Sequence, residues 1–486
     1  MKRRDFLKNS FTALALAGAG TAGFSLIRNT NIIGPAFAAA PAVSLPVPPL
    51  LESLDQTGRA AEFHLRVQQG TRSFFPGLDT STYGYNGNLL GPTIRVRNNQ
   101  RFKVRVDNTL AEETTLHWHG VHLPAKWDGG PRQPIAAGDS WFPDFTIKQE
   151  AATLWYHPHA MDSTGEQVYK GLAGLLIVED EVSDQLDLPR TYGVDDIPII
   201  LQDRRFYRDG KFAYVRNMHD VVNGVIGSHL LVNGVISPTL KATSKLLRLR
   251  LLNGSNSSIY AMSFSGLPQF HVVASDGGFL ERPVPMTSIV LSAGERAEVI
   301  LDLSTLKSTE STLVVDQWGG NQFAAMTIQK AQTLNNNARL PDRIRQVERI
   351  PESEATRTRT FVMETMGMGM MMGGRLTING KKMDMNRIDA RVELGSTEIW
   401  EIENRSAMMM NMPHSMHLHD VQFQILDRNG QRPAAHELGR KDTVLLSPGE
   451  RARIIMRFRD YKGIYMFHCH LLEHEDDGMM GQFEVV

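Results

Sequence analysis

The chain has almost no cysteine. Cys469 is the single one in 486 residues, which excludes an intramolecular disulfide and leaves one thiol that in an oxidising compartment is a liability unless something, such as a metal, occupies it. Net charge is almost absent as well, at −1 from 52 basic and 53 acidic residues, so no basic excess points to nucleic acid. Past Ile27 no apolar run reaches the length that crosses a bilayer, so stable membrane insertion of the mature chain is not expected. Long segments with helical period are equally scarce.

The N-terminus carries an address. Arg3-Arg4-Asp5-Phe6-Leu7-Lys8 precedes an Ala/Gly-rich apolar run from Phe11 to Ile27, and Ala36-Phe37-Ala38 offers a small-x-small cleavage site. This is a twin-arginine signal over residues 1–38, and it predicts the export machinery as a partner and the periplasm as the destination. A permanent anchor is the alternative, but the run is short and rich in glycine for a span. The twin-arginine route suits proteins that fold before crossing, often around a cofactor. Without the signal about 450 residues remain, enough for about three domains at roughly 150 residues each.

The remainder reads as β-structure: short stretches rich in Val, Ile, Thr and Phe, such as Phe63-His64-Leu65-Arg66-Val67 and Thr93-Ile94-Arg95-Val96-Arg97, are separated by Gly, Pro, Asn and Asp. It also repeats. Leu291–Ile300 (LSAGERAEVI) recurs at Leu446–Ile455 (LSPGERARII), with a fainter copy at Ile135–Ser140 (IAAGDS), so that the turn glycines Gly138, Gly294 and Gly449 are 156 and 155 residues apart. The Asn-Gly turns at Asn86, Asn233 and Asn379 are spaced by 147 and 146. A period of that length is a whole domain, so the expectation is an all-β chain of three tandem Greek-key β-sandwiches at 45–182, 192–335 and 355–486. Polar, strand-poor sequence such as Asn335-Asn336-Asn337-Ala338-Arg339 marks the second boundary.

Ten of the sixteen histidines fall in four clusters within the first and third repeats: His117-Trp118-His119, His157-Pro158-His159, His414-Ser415-Met416-His417-Leu418-His419 and His468-Cys469-His470 with His474. A single His-x-His carries little weight, being common in cores and on surfaces. Four in one chain are different, because side chains two apart on a strand share a face, so each pair presents two imidazoles to one point. His414, Cys469, His474 and Met479 add two imidazoles, a thiolate and a thioether, the ligand set of a blue-copper site with its long axial methionine. Structural zinc favours several thiolates and catalytic zinc about three protein ligands plus water; neither calls for ten histidines or a thioether. Alternation also sends Cys469 to one face and His468 and His470 to the other, which joins two metal sites through a few covalent bonds.

On these residues the sequence resembles the multicopper oxidases, most closely the bacterial periplasmic cuprous oxidases and bacterial laccases. The resemblance implies cupredoxin-like domains, a monomer and four copper ions. It implies that His414, Cys469, His474 and Met479 hold the type 1 copper, His117 and His417 the type 2 copper, and His119, His157, His159, His419, His468 and His470 the type 3 pair. It further implies that single electrons from a reductant reduce dioxygen to water at the trinuclear cluster, with Asp128 and Glu475 relaying protons. Without the resemblance, Asp128 reads as a turn residue in Trp127-Asp128-Gly129-Gly130 and Glu475 as a surface acid.

The reductant is read from the methionines. Met363, Met366, Met368 and Met370–Met372 open the third repeat, Met383 and Met385 follow, and Met408–Met410 and Met412 precede His414. Thioethers suit Cu(I), although methionine also serves as core filler. The cuprous oxidases of the family carry a longer methionine-rich insert and acidic residues in the substrate site, whereas Met410-Asn411-Met412 has no acid before the type 1 histidine; Glu364 or Asp384 would have to supply one. Cu(I) oxidation for copper tolerance is therefore the first expectation and laccase-like oxidation of phenols or aromatic amines the second. A copper-free scaffold or cell-division protein of the same fold is a third, opposed by the complete ligand set, and mere copper storage leaves Cys469 between two histidines unexplained. If Asp128 relays protons, Asp128→Asn slows turnover with dioxygen while the blue absorption band stays intact; unchanged turnover would sink that role.

Overall fold

The computed structural model describes residues 43–335, 338–366, 375–406 and 412–486. The signal at 1–38, Asn336 and Asn337, Met368, Met370–Met372 and Met408–Met410 lie outside the described residues. Among the described residues the longest α-helix is the seven-residue Thr164–Lys170, and no helix is long and apolar enough to cross a membrane.

Strands dominate, and they form three successive cupredoxin-like sandwiches, each of two sheets. The first places a five-stranded sheet built on Ala60–Phe75 and Arg101–Asn108 against a four-stranded one that carries His117–His119 and Ala152–His157. The second combines seven strands with five, and the third five with five. Each first strand pairs in parallel with a later one: Ala60–Phe75 with Arg101–Asn108, Asp196–Arg204 with Leu246–Asn253, and Arg357–Met366 with Thr397–Ser406. A hairpin cannot join parallel strands. Between the partners the chain crosses to the opposing sheet, at Ile94–Arg97, Thr239–Ser244 and Ala390–Val392, and each crossing strand lies parallel to the last strand of its sandwich.

The two repeat series have one physical basis each. Asn86, Asn233 and Asn379 all adopt positive φ, which asparagine tolerates better than most residues. Each side-chain carbonyl accepts from the first strand of its domain, at Arg66 N, Ile200 N and Val362 N (2.6, 2.8 and 2.7 Å), and each amide donates to a carbonyl two residues earlier, of His64, Pro198 and Thr360. Gly138, Gly294 and Gly449, at φ of 85°, 83° and 74°, donate their N–H at 2.9 Å to the carbonyls of Asn108, Asn253 and Asn404. Those three asparagines in turn donate to Ile135, Leu291 and Leu446. One polar staple is thus built three times.

Apolar faces of the facing sheets fill each sandwich. In the third, fully buried Trp400 packs against Phe361, Phe458, Phe467 and Phe483 with ring centroids 4.4–6.0 Å apart, and its indole donates to Glu398 at 2.9 Å. Trp400→Ala removes this hub, so the third sandwich is expected to lose about 3–5 kcal/mol; a denaturant midpoint read by a probe in that sandwich and left unmoved would contradict this packing.

Candidate metal centres

The strand His117–His119 pairs with Ala152–His157 so that His117 faces His157 directly. On the far side His414–Leu418 pairs with Gly463–Cys469, which sets His417 opposite His468 and Met416 opposite Cys469. Only the first His-x-His lies wholly within a strand. The strands holding the others end at His157, Leu418 and Cys469, in the first case because Pro158 has no N–H to continue the ladder. The second imidazole of each of these pairs is held by loop contacts instead: His159 N donates to Thr115 Oγ1, His419 N to Met466 O and His470 N to Ser415 O, at 2.6, 3.0 and 2.6 Å.

Eight imidazoles meet between the first and third sandwiches, all essentially inaccessible to solvent. His117 stacks on His419 with ring centroids 3.8 Å apart, and His119 stacks on His417 at 3.7 Å. Acceptors assign the tautomers. His117 Nδ1 donates to Asp128 O (2.8 Å), His417 Nδ1 to Asp442 O (2.9 Å), His157 Nδ1 to Pro158 O (2.8 Å), His468 Nδ1 to Cys469 O (3.1 Å) and His419 Nδ1 to the Asp128 carboxylate (2.7 Å). Each of these rings turns a bare Nε2 inward. His119 is reversed: its Nε2 donates to Asp442 Oδ1 at 3.0 Å, leaving Nδ1 bare. The bare nitrogens then confront one another, His419 Nε2 with His468 Nε2 at 3.3 Å, and His157 Nε2 with His119 Nδ1 at 3.4 Å. His159 Nε2 also lies 3.2 Å from His468 Nε2. His117 Nε2, His417 Nε2 and both nitrogens of His470 have no hydrogen-bond partner. Burial, reinforced for several rings by their neighbours, lowers the imidazole pKa values, to about 3 for His159 and His470 and well below the usual range for His119, His157, His417 and His419. Between His157 and His119 no proton therefore relieves the contact, and converging lone pairs are the donor set that a cation requires.

The second centre lies on the other face of the same two strands. Cys469 Sγ is 3.6 Å from Nδ1 of both His414 and His474; the opposite nitrogens are held by Thr365 Oγ1 (3.0 Å) and Val222 O (2.9 Å). Buried Met479 is tied to the same loop, its carbonyl accepting from Cys469 N (3.0 Å) and its N–H donating to His474 O (2.8 Å). Burial pushes the Cys469 thiol up to about 12 and brings His474 down to about 4, so a buried thiolate here needs a cation beside it. Two imidazoles, a sulfur and a neighbouring thioether fit copper; eight imidazoles fit a multinuclear cluster.

Asp128 and Glu475 are both buried against the cluster. Asp128 spans His117 and His419, and its Oδ1 has no hydrogen-bond partner; Gly129, at φ 75°, makes the approach possible, since a Cβ there would lie 1.8 Å from Leu116 O. Glu475 Oε2 lies 3.0 Å from His468 Nδ1 and Oε1 3.3 Å from His159 Nδ1.

Two residues without a local motif complete the cluster. Asp442, of the third sandwich, holds His119 by its carboxylate and His417 by its carbonyl, and Arg296, of the second, grips that carboxylate with two bonds of 2.7 and 2.6 Å. Arg296 also donates to Thr153 O of the first sandwich at 3.0 Å, so one fully buried guanidinium joins all three domains. Arg296 sits in the repeated Gly-Glu-Arg, which reads only as a turn; its counterpart Arg451 points outward to Glu401.

Profiles described as multicopper oxidase match residues 66–183, 200–336 and 351–486. The multicopper oxidase mco of Staphylococcus haemolyticus is 38% identical over 438 residues, 90% of this chain and 91% of that protein. Cell division protein FtsP of Escherichia coli is 34% identical over 457 residues, 91% of this chain and 92% of that one. A solved structure of CueO from Ochrobactrum sp., described as a laccase-like multi-copper oxidase with oxidase activity towards lignin model compounds and lignosulfonate, superposes with a TM-score of 0.83 at 38% identity, covering 91% of this chain and all of that one. The chain belongs to the multicopper oxidase family.

Asp442→Asn keeps shape while weakening the bonds to Arg296 and His119. Copper affinity of the cluster is expected to fall about 10–100-fold, as for other outer partners of metal ligands; chelator competition returning the parental affinity would remove Asp442 from this role.

Proposed function

We propose that this chain is a periplasmic cuprous oxidase that couples the one-electron oxidation of Cu(I) to the four-electron reduction of dioxygen to water, with sandwiches at 45–182, 192–335 and 355–486 and an export signal over 1–38. His414, Cys469, His474 and Met479 take the type 1 copper. His117 and His417 take the type 2 copper, and His119, His157, His159, His419, His468 and His470 the type 3 pair, four ions in all. Bound copper supplies reversible one-electron storage and a site for dioxygen. The remaining work falls to the chain.

The observation that carries oxidase function is Cys469 itself, flanked by His468 and His470. Its sulfur faces one centre while its neighbours face the other, so a few covalent bonds form the electron path and no diffusible carrier is needed. Water formation consumes protons. Glu475 can hold one at the oxygens facing His159 and His468, and Asp128 another at its unpartnered Oδ1. Both acids are buried, which limits proton supply to groups fixed in position.

Cu(I) as reductant is supported by where the methionine-rich segments attach. Thr365, one residue before Met366, is hydrogen-bonded to His414; Met412, two residues before His414 at the end of the second segment, is held through its carbonyl by Asn404; and Met383 N donates to Gly478 O beside Met479. Residues that flank both methionine-rich stretches are thus held beside the type 1 ligands, and thioethers suit Cu(I). Laccase-like oxidation of phenols is the second reading, favoured by the likeness to the Ochrobactrum enzyme. The cell-division relative keeps a scaffold reading in play, opposed by bare imidazole nitrogens 3.3–3.4 Å apart that a copper-free core would not accumulate.

Oxygen consumption by copper-loaded protein, with Cu(I) and a phenol supplied separately, distinguishes these. A blue band with faster Cu(I) oxidation is expected; faster phenol oxidation favours the laccase, and the absence of both band and turnover favours the scaffold.

A further inference from the structure

The helix Leu472–Asp476 lies between Cys469 and Met479 and holds one hydrogen-bonded turn without a side-chain cap. A helix this short does not persist by its own hydrogen bonds, so the position of His474 depends on what grips the helix. Of its four consecutive polar side chains Glu473, His474 and Glu475 are buried and Asp476 is partly so, and each goes to a different place. Glu475 faces the histidine cluster. Asp476 accepts from Thr164 N and Gly165 N of the first sandwich at 3.0 and 2.8 Å. His474 donates to Val222 O of the second.

Glu473 is the one that no ligand role explains. Its carboxylate accepts from Tyr214 Oη (2.9 Å), Asn256 Nδ2 (2.9 Å), Val225 N (3.1 Å) and Ser257 Oγ, all of the middle sandwich. Leu472 N donates to Asn256 O at 2.9 Å alongside. Four donors converging on one side chain require a group that only accepts; an amide would turn its own NH2 toward some of them. Gly224 lies over the same contact, where an added Cβ would be 2.3 Å from Ser257 and 3.5 Å from Glu473 Oε2. The joint leaves no room for a side chain.

We propose that Glu473 is a positioning residue through which the middle sandwich, itself without a ligand, fixes His474 in the type 1 site. Glu473 and the Val222 carbonyl together hold the turn and the tautomer of its histidine, so the geometry of the sulfur-containing centre is set by docking between domains. The trinuclear ligands His117, His119, His417 and His419 are anchored separately, through Asp128 and Asp442, while Glu475 of the same helix faces His159 and His468. This rests on the type 1 assignment of His414, Cys469 and His474.

The test uses the full mature chain with Glu473→Gln and Tyr214→Phe, the latter removing one donor far from any ligand and serving if the former does not fold. In copper-free protein, amide exchange across Leu472–Asp476 is expected to accelerate about tenfold or more in Glu473→Gln and less in Tyr214→Phe, as for loss of a buried charged hydrogen bond. In copper-loaded protein the type 1 reduction potential and electron paramagnetic resonance signal shift, while the type 2 signal, whose ligands His117 and His417 are held by Asp128 and Asp442, keeps its parental form. Parental exchange rates in both variants overturn the proposal, as does faster exchange with an unmoved type 1 potential and spectrum. A parental protein without a blue band defeats the oxidase reading instead, and the exchange rates still decide whether Glu473 holds the helix.

Discussion

Eight imidazoles buried in one place, with bare nitrogens 3.3–3.4 Å apart, define the problem that the rest of the molecule answers. Such a cluster is unfavourable in the absence of a cation, because desolvated acceptors face each other with no proton between them. Rings free to rotate would relieve that repulsion by turning away. They do not, because the outer nitrogen of ring after ring is committed to a carbonyl or carboxylate: Asp128, Asp442, Pro158 and Cys469 supply these acceptors. The polar groups surrounding the cluster therefore keep its ligands aimed before any metal arrives.

Holding eight rings from two sandwiches against one another requires a third body. The middle sandwich has no ligand, yet Arg296 crosses from it to Asp442 and Thr153, and Gly294 backs onto the ring of His470 so closely that a Cβ would lie 2.9 Å away. Removing a partner from a buried ion pair is costly, so the Arg296–Asp442 pair also ties the relative placement of domains to the orientation of His119. The sulfur-containing centre is gripped from the same middle sandwich, at Val222 and around Glu473. A domain that has given up ligands has become the frame for those of its neighbours.

The three sandwiches were visible in the chain because their repeats mark positions under local constraint. Positive φ at the Asn-Gly turns and at the turn glycines restricts which residues fit, and restriction at fixed intervals is readable. The His-x-His pairs were readable for a similar reason, since alternation couples spacing to direction. That logic was incomplete for three pairs, whose second members lie beyond the strand and are aimed by Thr115, Met466 and Ser415. The roles of Asp442, Arg296 and Glu473 gave no local sign: Asp442 meets His119 across 323 residues, Arg296 meets Asp442 across 146 and Glu473 meets Tyr214 across 259.

By itself, then, the sequence determined that this is a β-chain in three copies with copper-type donors in the outer two and a cysteine bridging two sets of ligands. Periodicity and residue chemistry act over a few positions, and both survive translation into a string. Tertiary structure decided which ring nitrogen each histidine presents, and that acids and an arginine from separate domains meet around His119 and beside His474. Those outcomes depend on desolvated hydrogen bonds between segments hundreds of residues apart, for which spacing along the chain carries no information.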